Sequence, residues 1–501
     1  MTAASSELRY WVEMALECVR RDHTSSISVG DQRGPFLTAR AQGMALAALN
    51  DAWALAAGGT TLLTLTAPGL SGLTDKPRMI AAAAACHQLL RERYPKQAML
   101  LDAGFRDWLA RHELGPAGSS AEIAGRAFGL AVHSLGLNDS ADAALGRYTP
   151  PSPPVDYVHR APDNEPKQGY AGGAWGDAKP LVLTSHIPFP GPPGRTAAST
   201  VIPTTHFKDD FAKVADRGFD DRSRGRTARE EFIGIAWGYD GPPELGTPPR
   251  LYMQVVLTIL DCIEARKTGA LSVDEELAII AGCAVAMADA GIEAWHYKYS
   301  PLHMMWRPVI GIQHAVPPNG TPIPGWLPLG RPDTNQTGTN PAAVRIEGTG
   351  LTPDFPAYPS GHATFGAAAF HTLRLFLVEK GQAQFKADGR DNIDFDFVSD
   401  EYNGRNTDPR NKAPRACVVH RYESLWEAIV DNSVSRVFLG VHWQFDGITT
   451  RNAANTDDEF GIPTAPNRLG QTGGVWLGGE IAKQIATRLN VSAATIGKGK
   501  M

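Results

Sequence analysis

Apolar residues recur at helical spacing along most of the chain. In the first half this holds for LRYWVEMALECVRR, ARAQGMALAALNDAWALAA, RMIAAAAACHQLLRERY and SAEIAGRAFGLAVHSLGL, and in the second for RLYMQVVLTILDCIEAR, DEELAIIAGCAVAMADAGIEAW and ATFGAAAFHTLRLFLVEK. Alternating patterns of the kind that half-buried strands need are scarce. Proline and glycine gather instead in Tyr148 to Gly194, Asp240 to Pro249, Val316 to Ser360, Gly389 to Pro414 and Gly461 to Gly474, which read as long loops between helices. Loops of such length inside a compact body line a site or cover a core.

Composition narrows the function. A net charge of -5 over 501 residues, without a basic stripe, gives no footprint for nucleic acid. The five cysteines are odd in number and widely spaced, so they suggest neither a disulfide framework nor a zinc site, and most read as buried small hydrophobes. The first residues, MTAASSELRYWVEMALECVRRD, carry acids and arginines inside their apolar periodicity, so they read as the first helix of the fold and not as a secretory signal. No run of about twenty uninterrupted apolar residues is present, so the expectation is a soluble protein without membrane insertion, placed in the cytoplasm. The sequons at Asn138, Asn335 and Asn490 then count as chance matches, and the run Asp220 to Glu231 as a solvated, charge-paired segment.

Three polar stretches carry the chemistry. In PAYPSGHATFGAAAF, Ser360 stands where a helix N-cap belongs, which puts Gly361 and His362 in a first turn whose backbone N–H groups can receive an anion. His362 can exchange a proton with such a ligand. Taken alone, the same stretch also describes an ordinary capped helix with an incidental histidine. In NSVSRVFLGVHWQFDG, His442 and Asp446 are four apart, so on a helix the carboxylate reaches the ring and fixes its tautomer. Arg436 lies off that face by about 120°, so Gly440 or a new helix start must turn both residues inward. Taken alone, that stretch also describes a core histidine with a surface partner.

The third stretch is KYSPLHMMWRP. Lys298 and Arg307 would point about 180° apart on a regular helix. Pro301 forbids a regular helix there, so a bulge or looped-out segment near Tyr299 to Leu302 is expected to return the two cations to one face.

Together, a lysine before Arg-Pro, PSGH, and SRxxxGxHxxxD resemble the signature of the vanadium-dependent haloperoxidases and of the type 2 phosphatidic acid phosphatase superfamily. DFPAYPSGHATFGAA, SRVFLGVHWQFD, IGIAWGYDGPPELGTPPRLY, MADAGIEAWHYK and GPFLTARAQGMALAALNDAW are similar to the chloroperoxidase-like branch, so the likeness covers most of the chain. The chain departs from that branch in having eight residues, not six, between its lysine and arginine.

The resemblance implies orthovanadate held by Lys298, Arg307 and Arg436, with Ser360 and the Gly361 N–H completing the cradle. It makes His442 the apical vanadium ligand, oriented by Asp446, and His362 the acid–base group. Phosphate could occupy the same site. Asp240 matches an acid that supports the second arginine, and Trp295 and Phe355 match the aromatic surroundings of the chloroperoxidase-like pattern. His296 and His303 are assigned to surface or packing positions.

The activity implied is oxidation of bromide or iodide, with chloride open, by hydrogen peroxide. The product is a hypohalous-acid-like species that halogenates a small organic nucleophile. The alternative is a soluble acid phosphatase with a phosphohistidine intermediate. Periodicity and resemblance agree on an all-α fold of two antiparallel four-helix bundles with long Pro/Gly-rich loops. Residues 1–230 are expected to form the first bundle and residues 231–501 the second, which carries the vanadate site, within one compact body.

Overall fold

The computed structural model describes residues 3–28, 30–137, 139, 148–197, 200–201, 205–220, 225–266, 271–315, 320–336, 352–450 and 461–501. Asn138, residues 221–224 of the charged run and parts of the loop between 316 and 360 lie outside the described residues. In the first half the helices are α1 (Ala3–Asp22), α2 (Pro35–Ala56), α3 (Asp75–Arg93), α4 (Ala98–Arg111), α5 (Ser120–Ser134) and α6 (Thr205–Arg217). The second half holds α7 (Ala228–Ala236), α8 (Pro248–Ala265), α9 (Val273–Lys298), α10 (Pro308–Gln313) and α11 (Gly361–Glu379). It ends with α12 (Leu425–Phe438), α13 (Gln444–Gly447), α14 (Gly473–Arg488) and α15 (Ala493–Lys498).

Strand structure among the described residues is confined to two short antiparallel pairs, one of which joins Phe395–Phe397 to His420–Tyr422. The seven helices singled out by periodicity are present. The chain also forms α4, α6, α7 and α14, whose shorter or Gly-rich patterns give a weaker signal.

Helix α9 shows how local sequence starts and stops an element. Ser272 accepts from the Glu275 N–H while the Glu275 carboxylate accepts from the Ser272 N–H, a reciprocal cap that satisfies two orphan donors. Asp274, Glu275 and Glu276 add negative charge where the helix dipole favours it. The interior is rich in Ala and Gly, which lets two partners approach closely. On one side α9 meets α2, where a Cβ at Gly43 would stand 2.6 Å from the Ala288 Cβ. On the other it meets α11, which in turn packs on α14. One hydrophobic core therefore runs continuously from Leu8 to Val491.

Among the described helices, α9 is the one long and apolar enough to cross a membrane, and 94% of its apolar window is buried in protein. The loop from 148 to 194 is strapped to the same helix. Buried Asp289 accepts N–H bonds from Leu181, Val182 and Leu183, and the Tyr297 hydroxyl donates to the Ile187 carbonyl.

Candidate active site

The mouth of α11 is built as the sequence suggests. Ser360 is the N-cap, its hydroxyl oxygen accepting from the Ala363 N–H at 3.4 Å, and Gly361 and His362 open the helix. The cap is tied to the third motif, because the Ser360 N–H donates to the Asp446 carbonyl at 2.7 Å.

Helix α12 carries Arg436 in its last turn and stops at Phe438, two residues before Gly440 turns the chain at φ +71°. Glycine is required there twice over: the dihedral is left-handed, and a Cβ would stand 2.3 Å from the Gly218 carbonyl oxygen. This turn brings His442 inward beside Arg436. The expectation of one helix holding His442 and Asp446 is corrected by the structure. His442 precedes α13, and Asp446 sits in the first turn of that helix and reaches back. Its Oδ2 accepts from the Trp443 N–H and from His442 Nδ1, each at 2.9 Å.

The looped-out segment between the two cations ends α9 altogether. Lys298 is the last residue of α9, residues 299–303 form a turn closed by the Met304 N–H on the Ser300 carbonyl at 2.8 Å, and Arg307 caps α10. Both cations are fully buried and both stand over the Phe355 ring, at 5.1 and 5.0 Å. Lys298 Nζ donates to the carbonyls of Pro356, Ala357 and Pro359 at 2.8, 3.1 and 2.5 Å. Arg307 donates to the Phe355 carbonyl, the Val441 carbonyl and His442 Nε2 at 2.8, 2.8 and 2.9 Å.

Arg436 forms a two-pronged pair with Asp240 at 2.9 and 3.1 Å, the fork geometry that suits a carboxylate. Trp295 packs on Phe355 with ring centroids 4.7 Å apart. His296 stacks on His186 at 3.6 Å, and His303 bonds the Phe189 carbonyl, so both serve packing.

Charge and burial set the protonation states. Burial lowers the Lys298 ammonium well below its usual range, helped by Arg307. Burial likewise draws the Arg307 guanidinium down to about 9, against the pull of Asp446. For Asp240 burial acts upward, but the charge and hydrogen bonds of Arg436 outweigh it and hold the carboxyl low. Burial and then Arg307 push His442 well down, so its ring is neutral. Because Arg307 donates to Nε2, the proton resides on Nδ1 toward Asp446, and Nε2 keeps a lone pair directed at the cations. His362 is lowered to about 3 by burial and Arg436. Its Nε2 donates to the Gly238 carbonyl at 2.8 Å, leaving the lone pair on Nδ1.

Two guanidinium donors, Arg307 Nη2 and Arg436 Nε, are buried without a hydrogen-bond partner among the described residues. Buried donors of this kind ask for an acceptor, and an anionic oxygen is the acceptor that also answers three clustered cations. The donor set therefore fits a tetrahedral oxyanion.

Sequence reading missed three contributors. The carbonyls of residues 355–359 orient Lys298 and Arg307, which no side-chain motif reveals. His159 is fully buried with neither ring nitrogen partnered among the described residues, and the charges of Arg307 and Lys298 help lower its pKa. A cavity of about 280 Å³ beside His362 takes one wall from His23, Arg33 and Pro35, far earlier in the chain.

Known proteins resemble this chain in sequence and in fold. Residues 278–456 match the family model of the second helical-bundle domain of vanadium chloroperoxidase. The chain is 30% identical over 564 aligned positions to vanadium chloroperoxidase of Curvularia inaequalis, covering 95% of this chain and 88% of that protein. The chain belongs to the vanadium-dependent haloperoxidase family, on its chloroperoxidase-like branch.

Solved haloperoxidase structures share the fold. A bacterial vanadium-dependent iodoperoxidase superposes with TM-score 0.62 at 18% identity, covering 96% of each chain. The holo form of a bacterial vanadium-dependent chloroperoxidase gives 0.57 at 15% identity, covering 92% of this chain and 93% of that one. As a member of the haloperoxidase family the protein is an oxidoreductase that acts on peroxide, with the mostly helical fold expected of it.

Proposed function

We propose that the protein binds orthovanadate in the cluster around His442 and uses it, with hydrogen peroxide, to oxidise iodide and bromide. The observation that carries this reading is the pair of orphaned guanidinium donors on Arg307 and Arg436, the first of which also donates to a neutral histidine whose Nε2 is unprotonated. Lys298, Arg307 and Arg436 would hold the oxyanion charge, the Ser360 hydroxyl and Gly361 N–H would add donors, and His442 Nε2 would ligate the metal once Arg307 Nη1 turns from it to the oxyanion. When bound, vanadate supplies a high-valent Lewis acid that activates peroxide toward halide.

The remaining roles belong to the chain. Asp446 keeps His442 in the ligating tautomer. Asp240 fixes the plane of Arg436, and Phe355 with Trp295 excludes water and so strengthens the charge interactions of the cations. His362 Nδ1 takes or returns the proton of a peroxide oxygen. These ligands all lie beyond residue 230, which supports a first bundle of residues 1–230 and a second that carries the site, and the core continuous through both supports one compact body.

The deciding experiment is bromide-dependent bromination of a phenolic dye by hydrogen peroxide, on protein stripped of oxyanion, with and without orthovanadate. Vanadate-dependent activity suppressed by phosphate is the expected result. Hydrolysis of p-nitrophenyl phosphate without bromination would move the protein to the phosphatase side.

A further inference from the structure

The cavity beside His362 is more than an access path. Its volume of about 280 Å³ lies just under the range of pockets for drug-sized ligands, which is the scale of a single substituted ring. Pro35, Pro248, Pro353 and Phe355 give it flat apolar surfaces, and Phe355 is held in place by Trp295.

The charged groups are arranged asymmetrically. Asp240 is engaged by Arg436, and the Asp354 carboxyl, raised on balance by burial, is close enough to Arg331 for that charge to oppose the rise. Arg33 is different: it is exposed at the rim and forms no ion pair or hydrogen bond among the described residues. It is also presented deliberately. Asp22, fully buried, accepts from the Asp31 and Gln32 N–H groups at 2.7 and 2.8 Å, fixing the backbone just before Arg33, and Gly34 at φ +89° then turns the chain into α2.

We propose that this cavity binds the organic nucleophile, and that it selects an electron-rich aromatic ring bearing a carboxylate, the ring against Phe355 and the prolines and the carboxylate on Arg33. This rests on the haloperoxidase reading and deepens it. Halogenation balances as ArH + X⁻ + H₂O₂ + H⁺ giving ArX + 2 H₂O: peroxide is reduced, the halide is oxidised by two electrons, and the displaced ring proton ends in water. A ring held beside His362 meets the oxidised halogen before it diffuses away, so the product distribution carries the imprint of the cavity.

The test is competition between 4-hydroxybenzoate and neutral 4-hydroxybenzamide in enzymatic bromination, with the product ratio referred to that given by reagent hypobromous acid. An enzyme ratio shifted about tenfold toward the carboxylate is expected, the size of one charge-assisted hydrogen bond. Arg33→Ala should return it to the reagent value and Arg33→Lys should restore part of it. The reagent ratio from the wild-type protein overturns the proposal, as does full selectivity in Arg33→Ala.

Triiodide formation from iodide, which needs no organic substrate, is followed in parallel. If it is absent, the haloperoxidase reading fails, and calorimetric titration with the two ring compounds still decides the cavity. Preference for 4-hydroxybenzoate that is lost in Arg33→Ala supports it, and equal binding of the two overturns it.

Discussion

Arg307 donates from Nη1 to His442 Nε2 across 2.9 Å while Asp446 accepts from Nδ1 of the same ring at the same distance. The imidazole is thus locked between a donor and an acceptor before any oxyanion arrives. Asp446→Ala removes the acceptor on Nδ1 that holds the orientation of the ring. Vanadate affinity is expected to fall by about 10- to 100-fold, as for other groups that orient a metal-bound histidine. Nitrogen-15 NMR of the ring should show an Nδ1–H that has lost its acceptor, with Nε2 still unprotonated because Arg307 donates to it.

His442→Ala removes the ligating nitrogen itself. Vanadate-dependent halide oxidation is expected to vanish, and full activity in this variant would exclude the assignment outright.

Lys298 serves two masters. Lys298→Ala takes one cation from the cluster and leaves the Pro356, Ala357 and Pro359 carbonyls without their donor, at about 1–3 kcal/mol for each group left unsatisfied. Urea unfolding should show the loss of stability, and dialysis against vanadate a weaker affinity. Unchanged affinity would place Lys298 outside the site and make its role purely architectural.

The Asp240–Arg436 pair is buried, so breaking it leaves an uncompensated charge. Asp240→Ala is expected to cost about 3–5 kcal/mol in stability. Phosphate or vanadate in excess should recover part of that loss, because an oxyanion supplies the missing negative charge and binds only the folded state. Thermal unfolding with and without phosphate measures the recovery. A deficit that phosphate leaves untouched would argue that Arg436 does not face the anion.

Away from the site, burial and then the Arg126 charge lower His87 to about 4. Above pH 6.5 its imidazole is neutral in both folded and unfolded chains and its contribution is complete. As pH falls toward 4 the unfolded chain takes up the proton first, so stability is lost, on the order of 3 kcal/mol. Asp51 and Asp210, each pushed up to about 6 by burial, act in the opposite sense over part of that window. The difference between parent and His87→Gln is therefore the measure: the variant should lose less stability on acidification from pH 6.5 to 4.

Much of this site could be read from the sequence because its parts are short and local. The cap at Ser360, the inward turn at Gly440 and the break at Pro301 each follow from the preferences of one or two residues. The Asp240–Arg436 pair follows only from the family resemblance, since 196 residues separate its members. The spacing of His442 and Asp446 gives their contact but not the element that holds it, because four residues look helical whether the two share a helix or, as here, one stands before it. The carbonyls that orient Lys298 and the wall contributed by Arg33 left no trace in the pattern, because backbone groups carry no residue identity and the cavity unites distant segments.

Helix α9 has the small-residue flank of α2 on one side and that of α11 on the other, and its final residue is Lys298. The two bundles are accordingly not interchangeable cassettes. A graft that moved the second bundle onto a foreign partner would strip α9 of its neighbour and disturb the very rod whose tip holds a site cation. A substitution as remote as Gly43→Val, wedged between α2 and α9, is the kind of change by which the first bundle could retune the chemistry of the second without touching a ligand.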